Sequence, residues 1–355
     1  MTHSTSTRFT NRAIAAAAIL TVAGSAHAAD KIIASIELGS IVVPTTTGAT
    51  FMPTFEGLTE PVTGVGLSGT FVVQTGDFKD GLGPWSLDVI LNSTPPAGGS
   101  PLVWHPIGGD VTIADFPLQD GTTGIASADG NGTWTFDFQS DVPISNWIYR
   151  LDDTVVYLLA DTEDITTNYD ATPDTGNSWS RPYFIAGVSG LGPVAYHTFE
   201  FTVSESGLYD LTSVLSSGSD HFTFLYEDEF DPAQPLNNLF DYGLGNGNSP
   251  FGAPRGTSEV SALLFEGKTY TWVTSQWSAG STIAPSTNTI VGPGVITETG
   301  QCLADTNGDG SVTPADFSAW VAAFNAMAPE CDQNGDGSCS PADFSAWVAN
   351  FNAGC

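Results

Sequence analysis

The chain has 355 residues, of which 41% are apolar and 13% charged, and its 39 acidic side chains outnumber 8 basic ones. A formal net charge of −31 excludes the protein classes that attract nucleic acid or anionic membranes. The apolar fraction is enough to fill a core, which excludes a mainly disordered chain. After the first 28 residues, no stretch approaches the ~18 apolar residues of a membrane-spanning helix.

Residues 1–28 have the features of a secretory signal. Arg8 and Arg12 give a basic start, and the apolar run at 13–24 is too short to span a membrane. Ala26-His27-Ala28 matches an A-x-A cleavage site. Cleavage would leave 6 basic against 39 acidic residues, a net charge of −33. The sequence therefore predicts a secreted protein, extracellular or at the cell surface.

Residues 29–165 indicate a first β-unit. Segments 70–74, 85–91 and 133–138 alternate apolar and polar side chains, and pieces rich in Gly, Pro and Asp separate them. No segment has a sustained helical period, so we expect an antiparallel β-sandwich or jelly roll. The piece Gly130-Asn-Gly-Thr-Trp-Thr-Phe-Asp-Phe is similar to a strand of proprotein-convertase P-domain-like jelly rolls.

Residues 178–294 indicate a second β-sandwich, after a polar, turn-rich link placed near 161–177. Its predicted strands cover residues 196–203, 206–215, 221–226 and 261–274. The order F-x-V-x-x-S-G-x-Y, F-x-L-Y, F-D-P and L-x-x-G-x-x-Y-x-x-V, ending at Gly292-Pro-Gly, resembles the bacterial pre-peptidase C-terminal type of sandwich. That resemblance implies an accessory binding unit rather than a catalyst.

No motif in the two β-units names an active site. A G-x-S-x-G elbow is missing, and the histidines after residue 28 are too scattered for H-E-x-x-H or a triad: His105, His197 and His221. A glycosidase needs a pair of catalytic carboxylates. The many acidic residues could supply such a pair, but no local sequence pattern identifies it. The densest acidic run is expected to be a solvated loop, with a further calcium site or catalytic carboxylates as alternatives: Glu227, Asp228, Glu229 and Asp231. Four tryptophans are expected in the core, with stacking on sugar rings as the alternative: Trp85, Trp104, Trp272 and Trp277.

Residues 302–355 contain a duplicated calcium-loop pattern. Residues 305–326 and 332–353 are identical at 18 of 22 positions, and each copy has Gly at position 6 of a loop with oxygen-bearing side chains. Such a loop lets six to eight oxygens surround a calcium ion at about 2.3–2.6 Å. The candidate ligands of two calcium ions are Asp305, Asn307, Asp309, Ser311 and Asp316, and then Asp332, Asn334, Asp336, Ser338 and Asp343.

A helix is predicted after each loop. Thr313-Pro314-Ala315-Asp316 places a cap, a first-turn proline and an acid in the positions that start a helix, and Ser340-Pro341-Ala342-Asp343 repeats them. An apolar stripe at helical spacing follows in each copy: Phe317, Trp320, Val321 and Phe324, then Phe344, Trp347, Val348 and Phe351. Neither loop has room for an entering helix.

Two loop–helix units in tandem, without entering helices and with Asp as the last ligand, resemble a dockerin domain. The resemblance implies docking onto a cohesin-type module of another surface protein. The family's partner-choosing positions fall on Pro314, Ala315, Pro341 and Ala342. These small apolar residues depart from the hydroxyl-rich pairs of cellulosomal dockerins. Because the two copies match, two docking orientations are possible.

All four cysteines lie in this module: Cys302, Cys331, Cys339 and Cys355. An even number in a small exported domain indicates two disulfides. Of the three connectivities, we favour Cys302–Cys355 with Cys331–Cys339. A four-cysteine zinc site is the alternative, although paired C-x-x-C knuckles are missing.

The sequence thus favours a mainly β, non-catalytic, calcium-binding protein with two sandwiches and a small α-helical docking tail. The sandwiches would bind glycan or protein. The alternatives are a polysaccharide-degrading glycoside hydrolase, or its accessory subunit, and a tail that only stabilises the end of the chain.

Overall fold

The computed structural model describes residues 29–73, 89–106, 115–143, 148–183, 187–246, 253–299, 303–307, 312–334 and 338–353. The predicted signal segment 1–28 and Trp85 lie outside these ranges. Among the described residues, none of the helices is long and apolar enough to cross a membrane.

The described residues form mostly strands. Those of the first part are β1 Ala29–Pro44, β2 Ala49–Phe51, β3 Thr54–Phe55, β4 Val62–Val73, β5 Val89–Thr94, β6 Leu102–Trp104, β7 Phe116–Ala128, β8 Gly132–Thr133, β9 Thr135–Ser140 and β10 Ile148–Thr162. Those of the second are β11 Ile165–Ala171, β12 Asp174–Trp179, β13 Pro182–Tyr183, β14 Gly187–Val188, β15 Val194–Val203, β16 Gly207–Leu215, β17 His221–Glu227, β18 Leu239–Gly245, β19 Thr257–Leu264, β20 Thr269–Ser275, β21 Ser286–Gly292 and β22 Ile296–Glu298. The helices are α1 Pro314–Ala326 and α2 Pro341–Ala353, with a 3-10 turn at Pro329–Cys331 between them.

The first sandwich packs β7, β4, β10 and β1 against a four-stranded sheet in the order β2-β9-β5-β6. The alternation predicted for 133–138 is confirmed, because Trp134, Phe136 and Phe138 are fully buried. Their partners across the core include Phe71 and Tyr149, which stack with ring centroids 5.9 Å apart. Burying such side chains is the largest favourable contribution to the free energy of folding, at ~25 cal/mol for each Å² of apolar surface.

The second sandwich packs β11, β21, β16 and β19 against a six-stranded sheet that contains β12-β15-β20-β17-β18, with β22 paired to β15. Phe201, Tyr270 and Trp272 fill the space between the two sheets. The predicted turn at Glu266-Gly267 between β19 and β20 is confirmed, with Gly267 at φ +82°. The fold class is therefore confirmed as mainly β, with antiparallel sandwiches and a small helical part at the C-terminal end.

One eight-stranded sheet runs through both sandwiches. β1 pairs with β10 of the first sandwich along most of its length, and its first residues pair with β16 of the second, Asp30 opposite Leu208 and Lys31 opposite Gly207. The segment 161–177, expected as a link, holds β11, which pairs with β21, and the start of β12. The two sandwiches are thus joined by backbone hydrogen bonds.

Side chains reinforce this junction. Leu263 on β19 is fully buried. Its methyl groups lie where a side chain on Gly66 or Gly121 would stand, 2.7 Å and 3.4 Å from the two ideal Cβ positions. The rings of Tyr157 and Phe265 contact each other at 5.5 Å. Glycine at 66 and 121 therefore lets the second sandwich approach the first closely.

The C-terminal helices start as the sequence predicts. Thr313 caps α1, with its Oγ1 accepting a hydrogen bond from Ala315 N–H at 3.2 Å, and Asp316 completes a capping box by accepting from Thr313 N–H at 2.8 Å. Ser340 and Asp343 repeat these contacts at the start of α2, at 3.2 Å and 2.7 Å.

Candidate functional site

The duplicated loops close in the same way. Asp316, at position 12, accepts a hydrogen bond on Oδ1 from the N–H of Asn307, at position 3, with a distance of 3.1 Å. In the second copy, Asp343 Oδ1 accepts from the N–H of Asn334 at 3.3 Å and of Gln333 at 3.0 Å. Each last candidate ligand therefore ties the entrance of its loop to the first turn of the following helix.

The hydrogen bonds around the two last candidate ligands favour their carboxylate forms. Hydrogen bonds from Thr313 and Asn307 lower the pKa of Asp316, and the carboxyl group of Asp305 lies within hydrogen-bonding reach of it. Burial alone would raise the pKa of Asp343, but hydrogen bonds from Ser340, Gln333 and Asn334 outweigh that effect and lower it. Both side chains are buried. Two carboxyl groups in contact repel each other when ionised, so a cation between them would be strongly stabilising.

A pair of tryptophans connects the two copies. Trp320 on α1 donates its Nε1–H to the carbonyl of Cys331, next to the second loop, at 3.2 Å. Trp347 on α2 donates to Thr306 Oγ1 in the first loop, also at 3.2 Å. The helices themselves meet through Phe317 against Trp347, with centroids 5.0 Å apart, and Trp320 against Phe344, 5.7 Å apart. Each helix therefore supports the loop of the other copy.

The apolar stripes are divided between core and surface. Trp320 and Trp347 are buried, while Phe317 is 39% and Phe344 46% exposed. The candidate partner-binding residues are all exposed beside them: Pro314, Ala315, Pro341 and Ala342. An apolar face is therefore open to solvent at the start of both helices.

Several candidate ligands have no described position. Asp309, Ser311 and Asp336 lie outside the described residues, whereas Asp305, Asn307, Asp332, Asn334 and Ser338 lie within them. Across the described ranges, no three His, Cys, Asp or Glu side chains converge as a group that could hold a metal ion. The complete oxygen set of either loop therefore remains a prediction.

The favoured Cys331–Cys339 disulfide is confirmed, with a Cα–Cα distance of 5.6 Å. It closes a segment of nine residues that contains the first eight positions of the second loop. Cys302 and Cys355 lie outside the described residues.

Other candidate residues of the β-units are structural. Trp272 and Trp104 are buried, so they offer no face to a sugar ring. Trp277 is half-buried and covers the buried guanidinium of Arg181, whose carbon lies 5.1 Å from the ring centroid. Within the acidic run, Glu227 binds Lys268 at 2.9 Å, and Asp231 accepts from Ala233 N–H at 2.8 Å. These contacts favour a structural role for the run.

A buried polar layer lies inside one end of the second sandwich, and the sequence did not indicate it. His221 Nε2 and Ser213 Oγ share a hydrogen bond of 2.7 Å, and Thr223 and Ser258 share one of 2.8 Å. All four side chains are 0–1% exposed. A serine–histidine pair can be nucleophile and base, but this one is closed to solvent. Burial lowers the pKa of His221 to about 4, so the ring is neutral at pH 7.

Acid should destabilise the second sandwich through His221. Its folded-state pKa of about 4 lies below the ordinary 6.5, so the unfolded chain binds the proton first as pH falls. The free energy of unfolding then has its full value above pH ~6.5 and decreases by about 3 kcal/mol as pH falls toward 4. Urea unfolding against pH should show this slope, and His221→Gln should remove it. His105→Gln, at an exposed histidine, is the control and should keep it.

Comparisons with known proteins add little. No protein-family model matches the chain, and no curated protein matches it. Among solved structures, the N-terminal CBM22-1-CBM22-2 tandem domain of Xyn10C from Paenibacillus barcinonensis is similar over 78% of this chain and 100% of its own, with 13% identity and a TM-score of 0.22. The tandem CBM51 modules of Sp3GH98 from Streptococcus pneumoniae match 73% of this chain and 83% of their own, with 9% identity and a TM-score of 0.21.

An Arthrobacter globiformis T6 isomalto-dextranase matches 71% of this chain and 34% of its own, with 13% identity and a TM-score of 0.21. At such identities and TM-scores, nothing about activity or ligands transfers from these proteins to this chain. A functional conclusion has to come from the residues of the chain itself.

Proposed function

We propose that this protein is an exported, non-catalytic component of an extracellular or cell-surface assembly. Its C-terminal module binds two calcium ions and docks to a cohesin-type or other surface protein, and its sandwiches bind glycan or protein. The observation that carries this proposal is the matched closure of the two loops, in which Asp316 and Asp343 join loop entrance and helix start.

The negative charge of the C-terminal module supports the binding of a cation. Residues 302–355 contain seven Asp and Glu side chains and no Lys, Arg or His. With no positive side chain in the module itself, the carboxylates of the two loops repel one another. An external divalent cation would turn that repulsion into attraction.

The oxygen chemistry selects a hard cation. Asp305, Asn307, Asp309, Ser311 and Asp316 would hold the first ion, and Asp332, Asn334, Asp336, Ser338 and Asp343 the second. Carboxylate, amide and hydroxyl oxygens suit calcium, whereas zinc prefers the nitrogen and sulfur ligands of His and Cys. When bound, calcium would neutralise the converging carboxylates and fix the orientation of each following helix.

The exposed start of the two helices is the proposed docking face. It combines Phe317 and Phe344, both more than one third exposed, with the small partner-binding residues Pro314 and Pro341. The two phenylalanine rings lie 6.1 Å apart and form one contiguous exposed apolar patch, the kind of surface that marks an interaction site. The two copies present this face in related orientations, so either could dock.

A pull-down with the full chain tests the docking proposal. The bait is incubated with the surface and secreted proteins of the parent cell, in calcium and then in chelator. One partner retained only in calcium, and lost with Phe317→Ser together with Phe344→Ser, supports docking. Val214→Ser, at an exposed valine of β16, is the matched control. Calcium binding without a calcium-dependent partner would leave only the stabilising role.

A screen of the same chain against soluble polysaccharides tests the sandwiches. Retention without released sugars supports a binding unit. Release of sugars would instead support a degrading enzyme.

One observation favours the enzyme as second candidate. Asp120 on β7 and Asp241 on β18 belong to different sandwiches and lie close enough for their charges to interact. Burial and the nearby Asp241 charge raise the pKa of Asp120 well above its usual value, although its Oδ1 accepts from Gly121 N–H at 2.7 Å. A carboxyl group with a raised pKa beside a second carboxyl group is the pattern of the acid and the base in glycoside hydrolysis. Sugar release that Asp120→Asn and Asp241→Asn both abolish would establish this function.

Asp120→Asn should also stabilise the protein at neutral pH. Because its folded-state pKa is raised, Asp120 favours the folded state only when protonated, and stability falls as pH rises above its ordinary 3.8. Asparagine removes that loss, so we expect the free energy of unfolding to be higher at pH 7 and unchanged near pH 3. Urea unfolding at both pH values measures it. An equal gain from Glu259→Gln, at an exposed acid of β19, would contradict this explanation.

A further inference from the structure

The first residue of β1 is anchored to a distant carboxylate. The backbone N–H of Ala29 donates a hydrogen bond to Asp164 Oδ1, although 135 positions separate the two residues. Ala29 is only 6% exposed and pairs with Thr162, at the end of β10. Asp164 follows in the turn between β10 and β11, so its carboxylate lies over the start of β1.

The surroundings of this contact are acidic. Asp30 is 3% exposed, accepts from Thr63 Oγ1 at 2.9 Å, and lies opposite Asp161 in the sheet. The nearest basic side chain along the strand, Lys31, is paired with Glu60 at 2.9 Å. A positive charge at the nitrogen of Ala29 would therefore be in direct contact with the carboxylate of Asp164.

We propose that the predicted cleavage of the peptide bond between Ala28 and Ala29 leaves an α-ammonium group on Ala29 that forms an ion pair with Asp164, and that this ion pair fixes β1 at the junction of the sandwiches. An endopeptidase of the signal-cleaving class adds water across this bond. The products are a carboxylate on Ala28 and the ammonium group on Ala29. The inference rests on the proposed export, because export supplies the protease.

The amino-terminal end of β1 lies where the two sandwiches join. β1 is the strand that pairs with both sandwiches, and its pairing with β16 involves only Asp30 and Lys31. Those two residues follow Ala29 directly, so a shift of the amino terminus would act on the junction itself. The strand is buried in the sheet at Ala29, and a protease needs an extended, accessible peptide. Cleavage therefore precedes the docking of β1.

The first measurement is the amino-terminal sequence and intact mass of the full chain secreted by a signal-peptidase-containing host. Ala29 is expected as the first residue. Any other start, or a chain that keeps residues 1–28, overturns the proposal. Pull-down of a calcium-dependent partner with the same sample reports separately on the proposed function.

The second measurement compares a chain that starts at Ala29 with one extended by a single glycine. The extension keeps the amide N–H but moves the ammonium group away from Asp164. We expect the Ala29 form to melt about 2 °C higher, the size expected for one partly exposed ion pair. Asp164→Asn should remove that difference. Glu163→Gln, at the neighbouring exposed acid, should keep it. A difference that persists in Asp164→Asn overturns the ion pair.

Discussion

Replacing Asp305 and Asp332 together by asparagine should abolish the calcium-induced ordering of α1 and α2. Each substitution keeps the shape of the position-1 side chain and removes one charge from its loop. A hard cation depends on charged oxygens, so the affinity of each loop should fall by more than the 10–100-fold typical of losing an outer-shell partner. Because metal binding and folding are coupled, the helices should then remain disordered at calcium concentrations that order the unchanged protein.

The measurement is the difference in far-UV circular dichroism between calcium and chelator, with calorimetric titration for the number of ions. The control is Glu56→Gln together with Glu163→Gln, which removes two exposed acids from the first part of the chain. A calcium-dependent helical signal that survives the double substitution would show that the loops are not the site. A titration with two ions in the control and none in the variant would establish them.

Single substitutions in the same experiment separate independent from coupled loops. Trp347 of the second copy donates to Thr306 of the first loop, and Trp320 of the first donates to Cys331 beside the second. If these bonds transmit order, Asp305→Asn alone weakens both ions. Equal and independent losses would show that the tryptophans only pack.

The starts of the two C-terminal helices and one disulfide could be predicted from sequence because their determinants are local. The caps and the first-turn prolines act within a few residues of the helix start, and the duplication gave each signal twice. The structure confirms both capping arrangements and the Cys331–Cys339 bridge. The crossed bonds of Trp320 and Trp347 could not be predicted, since helical spacing shows which face is apolar and not which loop it reaches.

The junction of the sandwiches was not predictable from local patterns. Turn-rich composition at 161–177 indicated a link, but β11 in this segment pairs with β21, more than 100 residues away. Alternation of apolar and polar residues also shows which face of a strand is buried, but not which strands pair with it. The pairing of β1 with both β10 and β16 could therefore not be predicted. The polar layer around His221 was equally hidden, because Ser213 and Ser258 are polar, although each is in phase with the buried apolar residues of its strand.

Gly207→Ala should separate the two sandwiches. Gly207 is the first residue of β16 and lies opposite Lys31 of β1. A Cβ at this position would stand 2.3 Å from the backbone carbonyl of Asp30 and 2.6 Å from the ring of Pro293. Contacts this short with backbone and a rigid ring cannot be relieved by a rotamer change, so β1 and β16 must move apart.

We expect this substitution to cost about 3 kcal/mol, the upper part of the range for overpacking a close-packed site. The loss falls on the few hydrogen bonds that join the sandwiches, so scanning calorimetry should change from overlapping to separated transitions. Gly187→Ala is the matched control, because a Cβ there meets nothing within 4 Å. If Gly207→Ala lowers both transitions equally, the sandwiches unfold as one cooperative unit that the junction does not divide. If it separates them, the shared sheet is what couples two otherwise independent cores.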